Sequence, residues 1–84
     1  MDLKQIERQL EEEKNVRFTF QLATYEIQKV QNRFQLMECL GSNKVARSGE
    51  EDVFALFINN TKIMGLSLYT IITACSSEIE WKHS

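Results

Sequence analysis

From Val16 to Met37 the apolar positions fall at Val16, Phe20, Ala23, Ile27, Val30, Phe34 and Met37, alternating steps of four and three residues. That spacing is the seam of a heptad helix. At 100° per residue, Phe18, Leu22, Tyr25, Leu36 and Leu40 gather on the opposite side, interrupted by Lys29. The pattern predicts one helix over residues 15–40 with two apolar faces, the second suited to another layer or another subunit. A shorter pattern competes with it. Residues 16–22, Val-Arg-Phe-Thr-Phe-Gln-Leu, alternate apolar and polar like a half-buried strand. The longer periodicity favours the helix; the shorter one would make the domain α+β.

Upstream, Asp2 and Gln5 have the spacing of a capping box, and Leu3, Ile6 and Leu10 recur at helical intervals ahead of Glu11-Glu12-Glu13. A helix over residues 2–13 follows. Residues 41–48, with Gly41, Ser42 and Asn43, read as a loop. Ser48 precedes Glu51 by three residues as a second capping box, and Glu50, Glu51 and Asp52 suit the start of a helix. If that helix runs over 49–76, Val53, Phe54, Leu56, Phe57, Ile63, Met64, Leu68, Ile71, Ile72 and Cys75 share one face. Asn59-Asn60-Thr61 is a candidate break, with Asn60 as a new N-cap, and Thr70-Ile71-Ile72-Thr73 is β-branched. Gly65 reads as a site of close helix packing. Residues 77–84 form a tail in which Trp81 either covers an open end of the core or anchors a partner.

The expected fold is therefore all-α, a small helical hairpin or bundle with a long central helix, completed by self-association, with small α+β as the alternative. The 84 residues make one domain, 1–84. A chain this short buries only about 60% of the surface its unfolded form exposes, which makes association an economical source of further burial.

Charge and chemistry narrow the function classes. The formal net charge is −2, and residues 1–14 hold three basic and five acidic groups. Without clustered Lys and Arg, nucleic-acid binding has little support. Residues 63–77 carry no charge but are too short and too rich in Ser and Thr for a spanning helix, which needs about 20 apolar residues. No signal-peptide pattern opens the chain, so a cytoplasmic location is expected, and Asn59-Asn60-Thr61 then has no meaning as a glycosylation site.

His83 is the single histidine, Cys39 and Cys75 are far apart, and the glycines form no phosphate loop. A His-based triad, a metal centre and a nucleotide motif therefore lack material, and no enzyme activity and no cofactor are expected. The reading is a small non-enzymatic regulator: an adaptor, chaperone-like protein or inhibitor that binds itself as a homo-oligomer and another protein. Its candidate partner-binding residues are Phe18, Leu22, Tyr25, Leu36, Leu40 and Trp81. The alternative is an oligomer holding a small anionic metabolite or nucleotide between subunits with Arg17, Lys29, Arg33, Lys44 and Arg47.

Overall fold

In the computed structural model, which describes residues 1–82, the chain is α+β and not a helical bundle. Helix α1 spans Leu3–Glu11. Strands β1 (Val16–Phe20), β2 (Ala23–Val30), β3 (Arg33–Leu40) and β4 (Asn43–Ala46) follow as an antiparallel meander. Helix α2 (Phe54–Asn60), a small hairpin of β5 (Lys62–Ile63) and β6 (Leu66–Ser67), helix α3 (Leu68–Ala74) and a 3-10 turn (Ser76–Glu78) lead to β7 (Glu80–Lys82). Strand β7 pairs with β1, giving a five-stranded sheet in the order β4-β3-β2-β1-β7. His83 and Ser84, and with them the end of the expected tail, lie outside the described residues.

The helix expected over 15–40 is replaced by three strands, and its heptad seam has a physical origin. Residues sharing one face of a strand are two or four apart. Across a two-residue turn the face is resumed after an odd step: Phe20 pairs with Ala23, and Val16 with Ile27. Steps of four within β1 and β2, joined by a step of three over the turn, imitate a heptad. The imitation then fails, because Val30 pairs with Arg33 and Met37 with Ala46 on the opposite face from Phe34 and Leu36.

Neither of the first two turns carries glycine. Gln21 and Leu22 have φ of 52° and 67°, and Gln31 and Asn32 have 54° and 64°. Both are left-handed pairs of the type I′ kind, where Asn and Gly are the usual residues. Gly41 (φ 63°) opens the third turn, so the expected loop over 41–48 shrinks to Gly41-Ser42 and most of the rest is β4.

The second long helix is also divided. Residues 61–67 interrupt it with the β5–β6 hairpin, whose Met64 and Gly65 have φ of 53° and 82°. Gly65 serves that turn rather than helix packing; a Cβ placed there would meet nothing within 4 Å. The break falls at the Asn59-Asn60-Thr61 stretch, but the N-cap of α3 is Ser67, which accepts from the Thr70 N–H. Ser48 does not cap α2. Its hydroxyl accepts from the Leu36 N–H at 2.9 Å, and α2 begins after Val53 without a side-chain cap.

One sheet face is apolar. Val16, Phe18, Phe20, Tyr25, Ile27, Phe34 and Leu36 are buried there with Ile6 and Leu10 of α1, Phe57 and Ile58 of α2, and Leu68, Ile71 and Ile72 of α3. This is a two-layer domain with its helices on the inner face. The α1 capping box forms as its spacing requires, Asp2 Oδ1 accepting from the Gln5 N–H and Gln5 Oε1 from the Asp2 N–H.

Candidate interaction surfaces

Apart from Val30 and Met37, the outer face of the sheet is largely polar, and its polar side chains pair with one another. Thr19 and Thr24 share a hydroxyl hydrogen bond of 3.1 Å, and Gln28 donates to Gln35 at 3.2 Å. At its centre Glu26 is only 4% exposed. Arg17 on β1 reaches Glu26 Oε1 with Nε at 3.2 Å and Nη2 at 3.0 Å, while Asn15 donates to Oε2 at 3.2 Å. Lys44 on β4 extends across β3 to Oε2 of the same carboxylate. Burial alone would push the Glu26 carboxyl up; the hydrogen bonds and charges of Lys44 and Arg17 outweigh it and hold the group below its ordinary range.

The five cations considered for an anion site do not converge. Arg17 and Lys44 meet only through Glu26, Lys29 pairs with Glu11 at 2.8 Å, Arg33 with Glu50 at 3.6 Å, and Arg47 with Glu38 at 2.8 Å. Every one already faces a carboxylate. Polar cavities do adjoin two of them: one of about 280 Å³ is lined by Lys29 with Glu11, Glu13, Gln31 and Asn32, and one of about 170 Å³ by Arg47 with Tyr25, Glu38, Lys62, Ile63 and Met64. In the second of these the Tyr25 hydroxyl is pushed up, first by burial and then by the charge of Glu38, with Arg47 opposing.

Of the six candidate partner-binding residues, Phe18, Tyr25 and Leu36 are core. Phe18 stacks on Tyr25 at 5.6 Å between ring centroids and packs against Trp81 at 5.5 Å. Trp81 is half-buried on β7 against the core, which is the covering role rather than a projecting anchor. Leu22 and Leu40 do reach the surface, Leu22 fully so at its turn and Leu40 beside the third turn.

A second group of exposed apolar side chains lies between residues 53 and 69, three of them where the sequence pattern implied burial. Val53, Leu56, Met64, Leu66 and Tyr69 are all exposed, Met64 at 75%. Met64 leaves the expected helical stripe because it sits in the β5–β6 turn, Val53 because it precedes α2, and Leu56 because α2 buries Phe57 and Ile58 instead. The signal that could have placed Met64 is Met64-Gly65 itself, a turn pair between two short polar-apolar segments.

The backbone of β4 forms one edge of the sheet. Leu40 and Asn43 flank a two-residue turn as a hydrogen-bonded pair, and the Arg47 N–H donates to the Leu36 carbonyl at 2.9 Å. Asn43, Val45 and Arg47 therefore direct their peptide groups to β3, whereas Lys44 and Ala46 turn theirs outward. Among the described residues no strand covers them.

Among the described residues no group of three or more His, Cys, Asp or Glu could hold a metal ion, and none of the helices is long and apolar enough to cross a membrane. An open furrow of about 700 Å³ between Met1–Gln5 and Ile72, Thr73 and Ser76 holds no unsatisfied buried polar atom. No protein-family model, curated protein or solved structure matches the chain.

Proposed function

We propose that the chain is a non-catalytic protein-interaction module that docks another protein on the side chains of Val53, Leu56, Met64, Leu66 and Tyr69. The observation that carries this reading is their concentration: five large apolar residues are exposed within the segment from Val53 to Tyr69. Scattered surface apolar residues need no explanation, but five of them drawn from one stretch of 17 residues supply the composition of a binding surface. The outer sheet face, with its paired charges and hydroxyls, lacks that character. Two free cysteines, Cys39 and Cys75, fit a reducing compartment such as the cytoplasm.

An anion-holding role has less support, because a ligand at Arg47 must displace Glu38, and at Arg17 or Lys44 must displace Glu26. The test is site-specific photo-crosslinking in lysate of the source cells, with the probe at Met64 and, as control, at Gln35 on the outer face. A defined adduct at Met64 alone, lost when Leu66→Glu and Tyr69→Glu are added in a variant that melts as the wild type does, is the expected result. Equal labelling at both positions, or an adduct that survives the double substitution, overturns the reading.

A further inference from the structure

We infer that β4 is a self-pairing edge: two copies of the chain join β4 to β4 antiparallel about a twofold axis at Val45, making one continuous ten-stranded sheet. This surface is separate from the apolar group of residues 53–69, and neither reading depends on the other.

The register follows from which peptide groups are free. Lys44 and Ala46 turn their N–H and C=O outward, so they are the residues that exchange hydrogen bonds with a new strand. Antiparallel pairing by an isologous contact then sets Lys44 opposite Ala46 of the second copy and Ala46 opposite its Lys44, which gives four main-chain hydrogen bonds. Val45 falls opposite Val45, and Asn43 opposite Arg47. An antiparallel pair within one sheet keeps its faces, so the two valines meet on the inner face. Val45 is 38% exposed in the single chain, and the pairing covers it with its own kind.

Charge is what ordinarily forbids such a union. Edge strands are guarded by projecting Lys and other charges, and β4 carries Lys44 and Arg47. Here both are turned back into their own sheet. The Lys44 ammonium crosses β3 to the buried Glu26, and Arg47 Nε donates to Glu38 at 2.8 Å. The register also keeps like charges from standing directly opposite: Lys44 faces an alanine, and Arg47 faces an asparagine whose carbonyl can accept from it. The edge is therefore free along its backbone, neutralised along its side chains and complementary to itself. A second copy, rather than an arbitrary peptide, is the occupant that meets all three conditions.

Ala46→Pro is the selective perturbation. The Ala46 N–H makes no bond to β3, so proline removes nothing from the single chain's ladder, yet it deletes two of the four new hydrogen bonds and crowds the facing strand. Native mass spectrometry and sedimentation on the full chain should show twice the chain mass for the wild type and the single mass for Ala46→Pro, with unchanged far-ultraviolet circular dichroism.

Should Ala46→Pro fail to fold, Val45→Cys reads the same geometry. Directly opposite residues of a non-hydrogen-bonded pair have Cα atoms about 4.5 Å apart, inside the range of about 4.4–6.8 Å that a disulfide spans. Mild oxidation should yield a covalent dimer whose bridge, mapped by peptide mass, joins the two introduced thiols and not Cys39 or Cys75. A wild type of single mass at several hundred micromolar, on the order of the concentrations where weak edge pairing saturates, overturns the inference. So does a dimer that persists in folded Ala46→Pro, a ladder of higher oligomers, which signals head-to-tail pairing, or a bridge mapped elsewhere.

Discussion

Glu26→Gln is the sharpest probe of the outer face. Glu26 is buried, and takes two hydrogen bonds from Arg17, one from Lys44 and one from Asn15. Breaking a buried ion pair by removing one member costs about 3–5 kcal/mol when the remaining charge stays buried. Here the stranded cations have a way out, since the Arg17 and Lys44 side chains are 45% and 41% exposed. Their share falls toward the surface-pair range of about 0.2–1 kcal/mol. Glutamine keeps the shape and an acceptor for Asn15, so a total of about 1–2 kcal/mol is expected.

For a domain of this size each kcal/mol moves the melting temperature by about 4–8 °C, giving a drop of about 4–16 °C at pH 7 by circular dichroism. The pH dependence supplies the second half of the test. Because the folded-state carboxyl is held below its ordinary range, its contribution is complete above the unfolded value of about 4.3 and is lost as pH falls through the folded value. The gap between wild type and variant should therefore close between about pH 5 and acid. A difference under about 0.5 kcal/mol at neutral pH, within the usual range of surface substitutions, or a gap independent of pH, would show that the carboxylate is not a structural centre.

Three further outcomes are expected. Leu22→Gly should stabilise, because a left-handed residue with a Cβ costs about 1–2 kcal/mol and glycine's extra unfolded freedom offsets about 0.5–1 kcal/mol of that; urea titration showing a loss instead would mean that the Leu22 side chain holds its turn. Phe18→Ala removes a ring with no exposure that touches both Tyr25 and Trp81, and should cost about 3–5 kcal/mol, enough to leave a small domain largely unfolded by near-ultraviolet circular dichroism. Arg17→Ala and Lys44→Ala should each cost no more than about 1 kcal/mol, and each should cost nearly nothing once Glu26→Gln is present, a coupling that a double-mutant cycle in urea measures.

Sequence reasoning was most informative where a signal is local and chemically explicit. The Asp2–Gln5 capping box places α1 because both hydrogen bonds are made within four residues. The alternation from Val16 to Leu22 also describes β1 and its inward Val16, Phe18 and Phe20. The heptad was the stronger pattern and the misleading one, since tight turns without glycine left nothing to mark where one strand ended. Gln21-Leu22 is an unfavourable pair for a left-handed turn, and it is the register of β1 with β2 that holds it there. Proximity was the other gap. Lys44 and Glu26 are 18 residues apart, and Gln21 and Glu78 are 57 apart; no spacing rule connects them until the strand order β4-β3-β2-β1-β7 is known.

That strand order also separates the sheet's two borders by their history. Strands β1 to β4 are joined by two-residue turns, and hairpins of this kind form in about 1–10 μs. Strand β7 follows the helices in the chain, and its three residues pair with one neighbour, which makes it the natural first element to open. When it leaves, the peptide groups of β1 are uncovered. The sheet is thus bordered by β4 on one side and, on the other, by the three-residue β7, whose departure exposes the longer β1. Nicking ahead of β7 would therefore exchange a three-residue border for the five residues of β1, a longer template for a strand from any other chain.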